Sequence, residues 1–123
     1  MMQISEVAKE FGLTTDTLRY YEREGLIGPI AKGENGIRNY TESDLHRIQF
    51  VKCMRSAGLE ISFLKRYLKL LDEGDKTIKE RRKILVEQRK ILKEKLDAMQ
   101  EAYDRLNYKI DLYDKNILDK KWM

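Results

Sequence analysis

The amino-acid sequence predicts a mainly α chain, in which a compact N-terminal helical domain is followed by one long helix that pairs with a second copy. Three observations carry this reading. Short helix-favouring stretches near the N-terminus are each closed by a glycine, at Gly12, Gly25 and Gly58. A stretch punctuated by Gly28, Pro29, Gly33, Asn35 and Gly36 interrupts them. Beyond Thr77 there is neither Gly nor Pro, and apolar residues recur every seven positions.

Taken in order, Ser5 precedes a short helix over 6–11, with Val7, Ala8 and Phe11 on one side. Gly12 can take a positive φ and stop it, and Leu13 can plug the space between two helices. Thr14 is a good N-cap for a second helix running to about Glu24, ended by Gly25. A short helix, a tight turn containing Gly and a second helix make the helix-turn-helix layout. From Leu26 to Tyr40, isolated Ile residues at 27, 30 and 37 between turn residues predict two short strands, a β-wing. Thr41 followed by Asp44 resembles a capping box and starts a helix through Ala57, ended by Gly58. Leu64, Tyr67, Leu68 and Leu71 at helical spacing predict a fourth helix over 61–71.

The segment 72–75, Asp-Glu-Gly-Asp, is the one domain boundary the sequence offers. It divides a winged helix-turn-helix domain (1–74) from a dimerisation helix (75–118) and a short tail (119–123). Leu85, Leu92, Met99, Leu106 and Tyr113 form one heptad series, and Leu96, Tyr103, Ile110 and Ile117 a second. Together they make the a/d seam of a coiled coil, weak in its first half where Arg82 and Arg89 occupy the matching positions. A helix over 77–118 would be roughly 63 Å long. Nothing in the same chain is large enough to cover that seam, so it calls for a homodimer.

Length and composition narrow the function. A chain of 123 residues supports one compact domain plus an appendage. With 37% charged residues and apolar runs of only a few residues, no membrane span is expected, and the N-terminus lacks the pattern of a signal peptide. A single Cys forms no internal disulfide, which fits the cytoplasm. The net charge is +4, divided as −1 over 1–75 and +5 over 76–123. The basic C-terminal half is interleaved with Glu and Leu, as on a solvated helix face. Binding to a polyanion therefore has to rest on the local geometry of the first domain. One Cys and one His cannot build a nucleophilic site, and neither a phosphate loop nor an acid pair is present, so no enzyme, cofactor or metal is expected.

The stretch ISEVAKEFGLTTDTLRYYEREGLI, a wing carrying RNY, and TESDLHRIQFVKCMRSAGLEI together resemble the MerR family of transcriptional regulators over about residues 3–71. The resemblance implies a winged-helix dimer with an antiparallel coiled coil, bound to a palindromic promoter in double-stranded DNA. Such a regulator bends and underwinds the DNA so that RNA polymerase, an indirect partner, can engage. The N-terminal residues of the second helix, Thr15, Asp16, Thr17 and Arg19, are placed to face base edges in the major groove. Arg19 suits guanine O6 and N7. For the pair Tyr20 and Tyr21, plain packing is the ordinary reading. The resemblance makes Tyr20 a phosphate contact, and makes Arg38 and Tyr40 contacts to the flanking backbone or minor groove rather than a solvated wing tip. Lys9, Arg23, Lys32 and Arg47 are phosphate neighbours or plain surface charge.

Cys53 lies in the third helix on the rim of the arc formed by Phe50, Val51, Met54 and Ala57. Taken alone it is a small, semi-buried hydrophobe. One MerR subgroup, the AdhR/NmlR type linked to aldehyde, electrophile and thiol stress, carries a lone Cys in this sequence context, which makes Cys53 a candidate sensing thiol. Metal-sensing relatives place several Cys or His after the long helix, and here only ILDKKWM follows. His46 carries little weight as a ligand, and Trp122 either packs on a partner subunit or frays, the default at a terminus. Two alternatives stay open: a regulator of this fold with no small-molecule input, and a coiled-coil interaction protein that never meets DNA.

Overall fold

The computed structural model of the chain describes residues 2–123, as helices α1 (Ile4–Phe11), α2 (Thr15–Arg23), α3 (Glu42–Ser56), α4 (Ile61–Asp72) and α5 (Ile78–Asp114), with a 3-10 turn at Asp75–Thr77 before α5. They divide into two compact units, Met1–Leu85 and Val86–Met123. No helix among the described residues is long and apolar enough to cross a membrane.

The local chemistry of the helix ends follows the sequence closely. Thr14 caps α2, its hydroxyl accepting from the Thr17 N–H at 3.0 Å. Thr41 and Asp44 form the reciprocal capping box of α3, at 3.1 and 2.9 Å. The start of α1 differs from expectation: Gln3, not Ser5, is the N-cap, and the Glu6 side chain reaches back to its N–H at 3.1 Å. At the end of α1, Gly12 sits at φ 66, so that the Leu13 N–H can reach the Ala8 carbonyl (2.9 Å) and the Gly12 N–H that of Lys9 (3.4 Å). That is a Schellman stop. The same bond pattern closes α2 at Gly25–Leu26 and α3 at Gly58–Leu59. In the last two cases the leucine that follows is buried, so the helix stop also drives an apolar side chain into the core.

Val7, Leu18, Leu26, Ile27, Ile48, Val51 and Leu64 are fully buried and form the core of the first unit. Each contributes about 1.5–3 kcal/mol relative to an exposed position. The wing is slighter than expected. Instead of two strands it holds a single antiparallel bridge, Lys32 to Arg38, and a second bridge ties Met2 to Tyr40. The turn residues at 28, 29, 33, 35 and 36 leave too few consecutive extended residues for a longer ladder. The first unit also extends beyond the expected edge at 74 and takes in the start of α5, because Ile84 is buried. Thr77, itself buried, donates to the Leu70 carbonyl (2.6 Å) or that of Gly74 (2.8 Å) and accepts from Arg81 Nε at 2.9 Å.

In the second unit, α5 ends at Asp114, so Ile117 lies past the helix and not in its seam. Asn116 takes φ 58, the Ile117 N–H bonds the Leu112 carbonyl (2.8 Å) and the Asn116 N–H that of Tyr113 (3.1 Å). This is again a Schellman stop, with Asn in the glycine position. The tail then turns back. Lys109 Nζ donates to the Trp122 carbonyl, and Trp122 and Lys121 lie beside Glu101, Asp104, Arg105 and Tyr108. Tyr108 is nine positions from Met99, hence about 180° around the helix, so the tail sits on the side of α5 away from the heptad seam. Trp122 is therefore docked rather than frayed.

Candidate nucleic-acid interface

The candidate interface is built by α2 and the wing within the first unit. Leu18 and Tyr21 face the core from α2, and their burial turns Thr15, Asp16, Arg19 and Arg23 outward. Arg19 Nη1 folds back to Asp16 Oδ1 at 3.1 Å and Thr15 Oγ1 at 3.4 Å. The Asp16 side chain is 92% exposed and that of Arg19 49% exposed, so this pair contributes about 1 kcal/mol at most and is easily exchanged for another partner. Tyr20 points outward, with the Arg23 guanidinium 5.6 Å from its ring centroid, while Tyr21 is buried and its hydroxyl pKa is raised by that burial. Of the tyrosine pair, the structure thus leaves Tyr20 available to a ligand.

Of two further expected contacts, one has a neighbour at the helix start and the other is buried. Thr17 lies two residues from Arg19, about 200° around the helix, and its hydroxyl is 2.9 Å from that of the capping Thr14. It serves the helix start. The Tyr40 side chain is only 1% exposed, so as a side-chain contact to DNA the expectation is corrected: Tyr40 is a core residue that closes the wing. Its hydroxyl is buried without a partner among the described residues. Burial raises its pKa, with the nearby Glu22 carboxylate adding to the effect.

Arg38 is half-buried at the wing, with its Nε 2.9 Å from Glu22 Oε1. The other carboxylate oxygen of Glu22 accepts the Ile30 N–H at 3.1 Å. One side chain of α2 thus holds two points of the wing, a role sequence reasoning missed because nothing distinguishes this Glu from its charged neighbours. A groove whose lining includes Arg19, Glu22, Arg23, Pro29, Arg38 and Asp72 runs between helix and wing. Three guanidinium groups face two carboxylates there, Glu22 bound to Arg38 and Asp72 bound to Arg47, a balance that suits phosphate. Lys65 on α4 pairs with Glu24 at 2.9 Å, and Arg47 on α3 pairs with Asp72 at the groove's edge.

Cys53 is exposed on α3 rather than semi-buried. The fully buried residues of that helix are Ile48 and Val51, while Ala57 is exposed, so the apolar arc is displaced from the one expected. Arg55, two residues on, is engaged with the Leu59 carbonyl at 2.7 Å. Along α5, Met99 is 70% exposed and Leu106 62%, with Leu96, Tyr103, Ile110 and Tyr113 exposed and Leu92 half-buried on the same seam. Leu85, at the edge of the first unit, is also exposed.

A helix-turn-helix with an arginine-bearing outer face, a short wing and a long following helix defines a class of DNA-binding regulatory proteins. The model of the MerR HTH family of regulatory proteins matches residues 2–85, and the chain belongs to that family. Within it, the chain falls with the AdhR/NmlR group. It is 54% identical over 81 residues to the HTH-type transcriptional regulator AdhR of Bacillus subtilis, a match covering 66% of this chain and 58% of that protein. The chain therefore spans less than two thirds of that relative's length. Among solved structures, a MerR family transcriptional regulator from Listeria monocytogenes is 46% identical with a TM-score of 0.91, covering 96% of this chain and 89% of the other. HiNmlR, a MerR family regulator lacking the sensor domain and bound to promoter DNA, is 30% identical with a TM-score of 0.82, covering 92% and 90%. These relatives are named as regulators; the family is one of DNA-binding proteins and not of enzymes.

Proposed function

We infer that the protein is a homodimeric transcriptional regulator that binds a palindromic promoter and distorts it to control access by RNA polymerase. The observation that carries this is the outward face of α2, where Arg19 stands exposed beside the Arg23 and Arg38 groove with only a weak internal partner. In this reading Arg19 meets a guanine edge, Thr15 and Asp16 flank it, and Tyr20 and Arg38 hold phosphates. The uncovered seam of α5 supports pairing with a second copy, since exposed apolar stripes of this extent mark interfaces. Pairing of two α5 helices, antiparallel as in the family, would set two α2 helices into successive grooves. The domain reading that goes with it is a DNA-binding part and a dimerisation helix with a short tail.

The regulatory input in this reading is an aldehyde or other electrophile at Cys53. The exposed thiol loses its proton, the thiolate sulfur attacks the carbonyl carbon, and the carbonyl oxygen takes up a proton to give a hemithioacetal on α3. Binding is tested by titrating the full chain into an operator duplex selected from a randomised pool, at several salt concentrations. A steep salt dependence, with palindromic duplex favoured over scrambled duplex, is the expected result; equal affinity for both sinks the reading. For the thiol, promoter output is compared for the native protein and Cys53→Ser with and without an aldehyde. Equal induction in the two removes Cys53 as the sensor.

A further inference from the structure

We propose that Glu22 is a positioning residue for DNA binding: its carboxylate spans the recognition helix and the wing and sets the Arg38 guanidinium for a backbone phosphate. The proposal rests on the reading of α2 and the wing as a DNA interface. Its geometry is specific. Glu22 Oε1 takes Arg38 through Nε alone, at 2.9 Å, and Oε2 takes the Ile30 N–H, at 3.1 Å. Among the described residues, no hydrogen bond within the chain uses the two terminal nitrogens of Arg38. A guanidinium gripped at Nε keeps a full pair of N–H donors on its outer edge, the edge that matches two phosphate oxygens.

The pair is partly sheltered, with 33% of the Arg38 side chain and 20% of that of Glu22 exposed. A charge held there is less screened than one at the surface, and an arginine already fixed loses less rotamer freedom when it meets its ligand. The contrast with Arg19 is instructive. Arg19 is pinned only to exposed Asp16 on its own helix, so it is free to adapt to a base edge. Arg38 is fixed to a different element from its own. Glu22 thus makes the spacing between groove-reading helix and wing part of what the protein measures along the DNA. Because Ile30 is buried, the carboxylate is anchored to the wing at a point that does not drift with the tip.

The test uses the full chain and the selected operator duplex, read by fluorescence anisotropy across a salt series, with melting temperatures recorded in parallel. Glu22→Ala, Arg38→Ala and the double variant are compared. Then the flanking phosphates of the duplex are replaced one at a time by uncharged methylphosphonates. Expected are a loss of about tenfold for Glu22→Ala at moderate salt, a salt slope lower by about one, and a double variant no weaker than Arg38→Ala. One methylphosphonate position should weaken the native protein but leave Glu22→Ala and Arg38→Ala unaffected. Glu22→Gln, which keeps one acceptor oxygen, should fall between. The proposal is overturned if Glu22→Ala lowers only the melting temperature while salt slope and phosphate sensitivity stay native. It is equally overturned if Arg38→Ala binds like the native protein. Failure of the native protein itself to prefer the selected duplex would instead remove the DNA reading on which the proposal stands.

Discussion

Of the sixteen apolar side chains buried among the described residues, fifteen lie in Met1–Leu85 and only Leu112 lies in Val86–Met123. Of the fifteen large exposed ones, twelve lie in the second unit. The first unit closes its core within one chain, using helix stops at Gly25 and Gly58 that each aim a leucine inward. The second follows a seven-residue repeat whose apolar face has no cover in its own fold. The same residue types therefore sit differently: Leu64 is buried in a core, while Leu106 stands exposed on the seam. The rule that apolar residues go inside would hold for both under the proposed pairing, with a second copy over the seam.

The sharpest way to break this contrast is to place a charge on the seam. Met99→Asp or Leu106→Asp should shift the protein from dimer to monomer in sedimentation experiments, because a carboxylate buried in an apolar interface costs on the order of 3 kcal/mol or more. Operator affinity should fall by about 100-fold with it, while thermal unfolding of the first unit stays near native. A variant that remains dimeric removes the seam as the interface. The mirror experiment is Leu64→Ala, at a site with no exposure. It should lower stability by about 2–5 kcal/mol in denaturant unfolding, whereas truncation of exposed Leu106 to Ala leaves the unfolding of the first unit almost unchanged.

Arg19→Ala acts on the surface of the first unit rather than its core. It should cost about 1–3 kcal/mol in operator binding and relax the preference for one base pair per half-site, with the melting temperature unaltered. A uniform loss across sequences would make Arg19 a phosphate contact instead.

How far these regions were legible in the sequence follows from the range of the forces involved. The caps at Thr14 and Thr41 and the stops at Gly12, Gly25 and Gly58 are settled by bonds between residues a few positions apart, so they can be read locally. The heptad is equally readable, since it repeats. What could not be read depends on distant groups. Tyr40 is a core residue because Met2 pairs with it across the chain. Glu22 has its role because the wing returns to it at Ile30 and Arg38. Thr17 lies beside the capping Thr14, on a different side of α2 from Arg19, because Leu18 and Tyr21 decide which face of the helix is inward. Ile117 fits the heptad by number, yet Asn116 takes a left-handed conformation and ends the helix first.

The smallest expected effect concerns the tie between α2 and α4, which is exposed where the Glu22 clamp is sheltered. Glu24 has its pKa lowered from the ordinary 4.5, first by its hydrogen bond to Lys65 and then by the charge of that ammonium. A carboxyl with a depressed folded pKa contributes stability that is present above its unfolded pKa and is lost as pH falls through the folded one. The contribution is thus complete at neutral pH and fades below about pH 4.5. Lys65→Met should leave the neutral-pH melting temperature within a degree or two and flatten its decline on acidification. Arg47→Met, which breaks the pair with Asp72 from a better-buried arginine, should cost more at neutral pH. If the two variants prove equal, depth of burial is not what ranks the ties that hold α2 and α3 to α4.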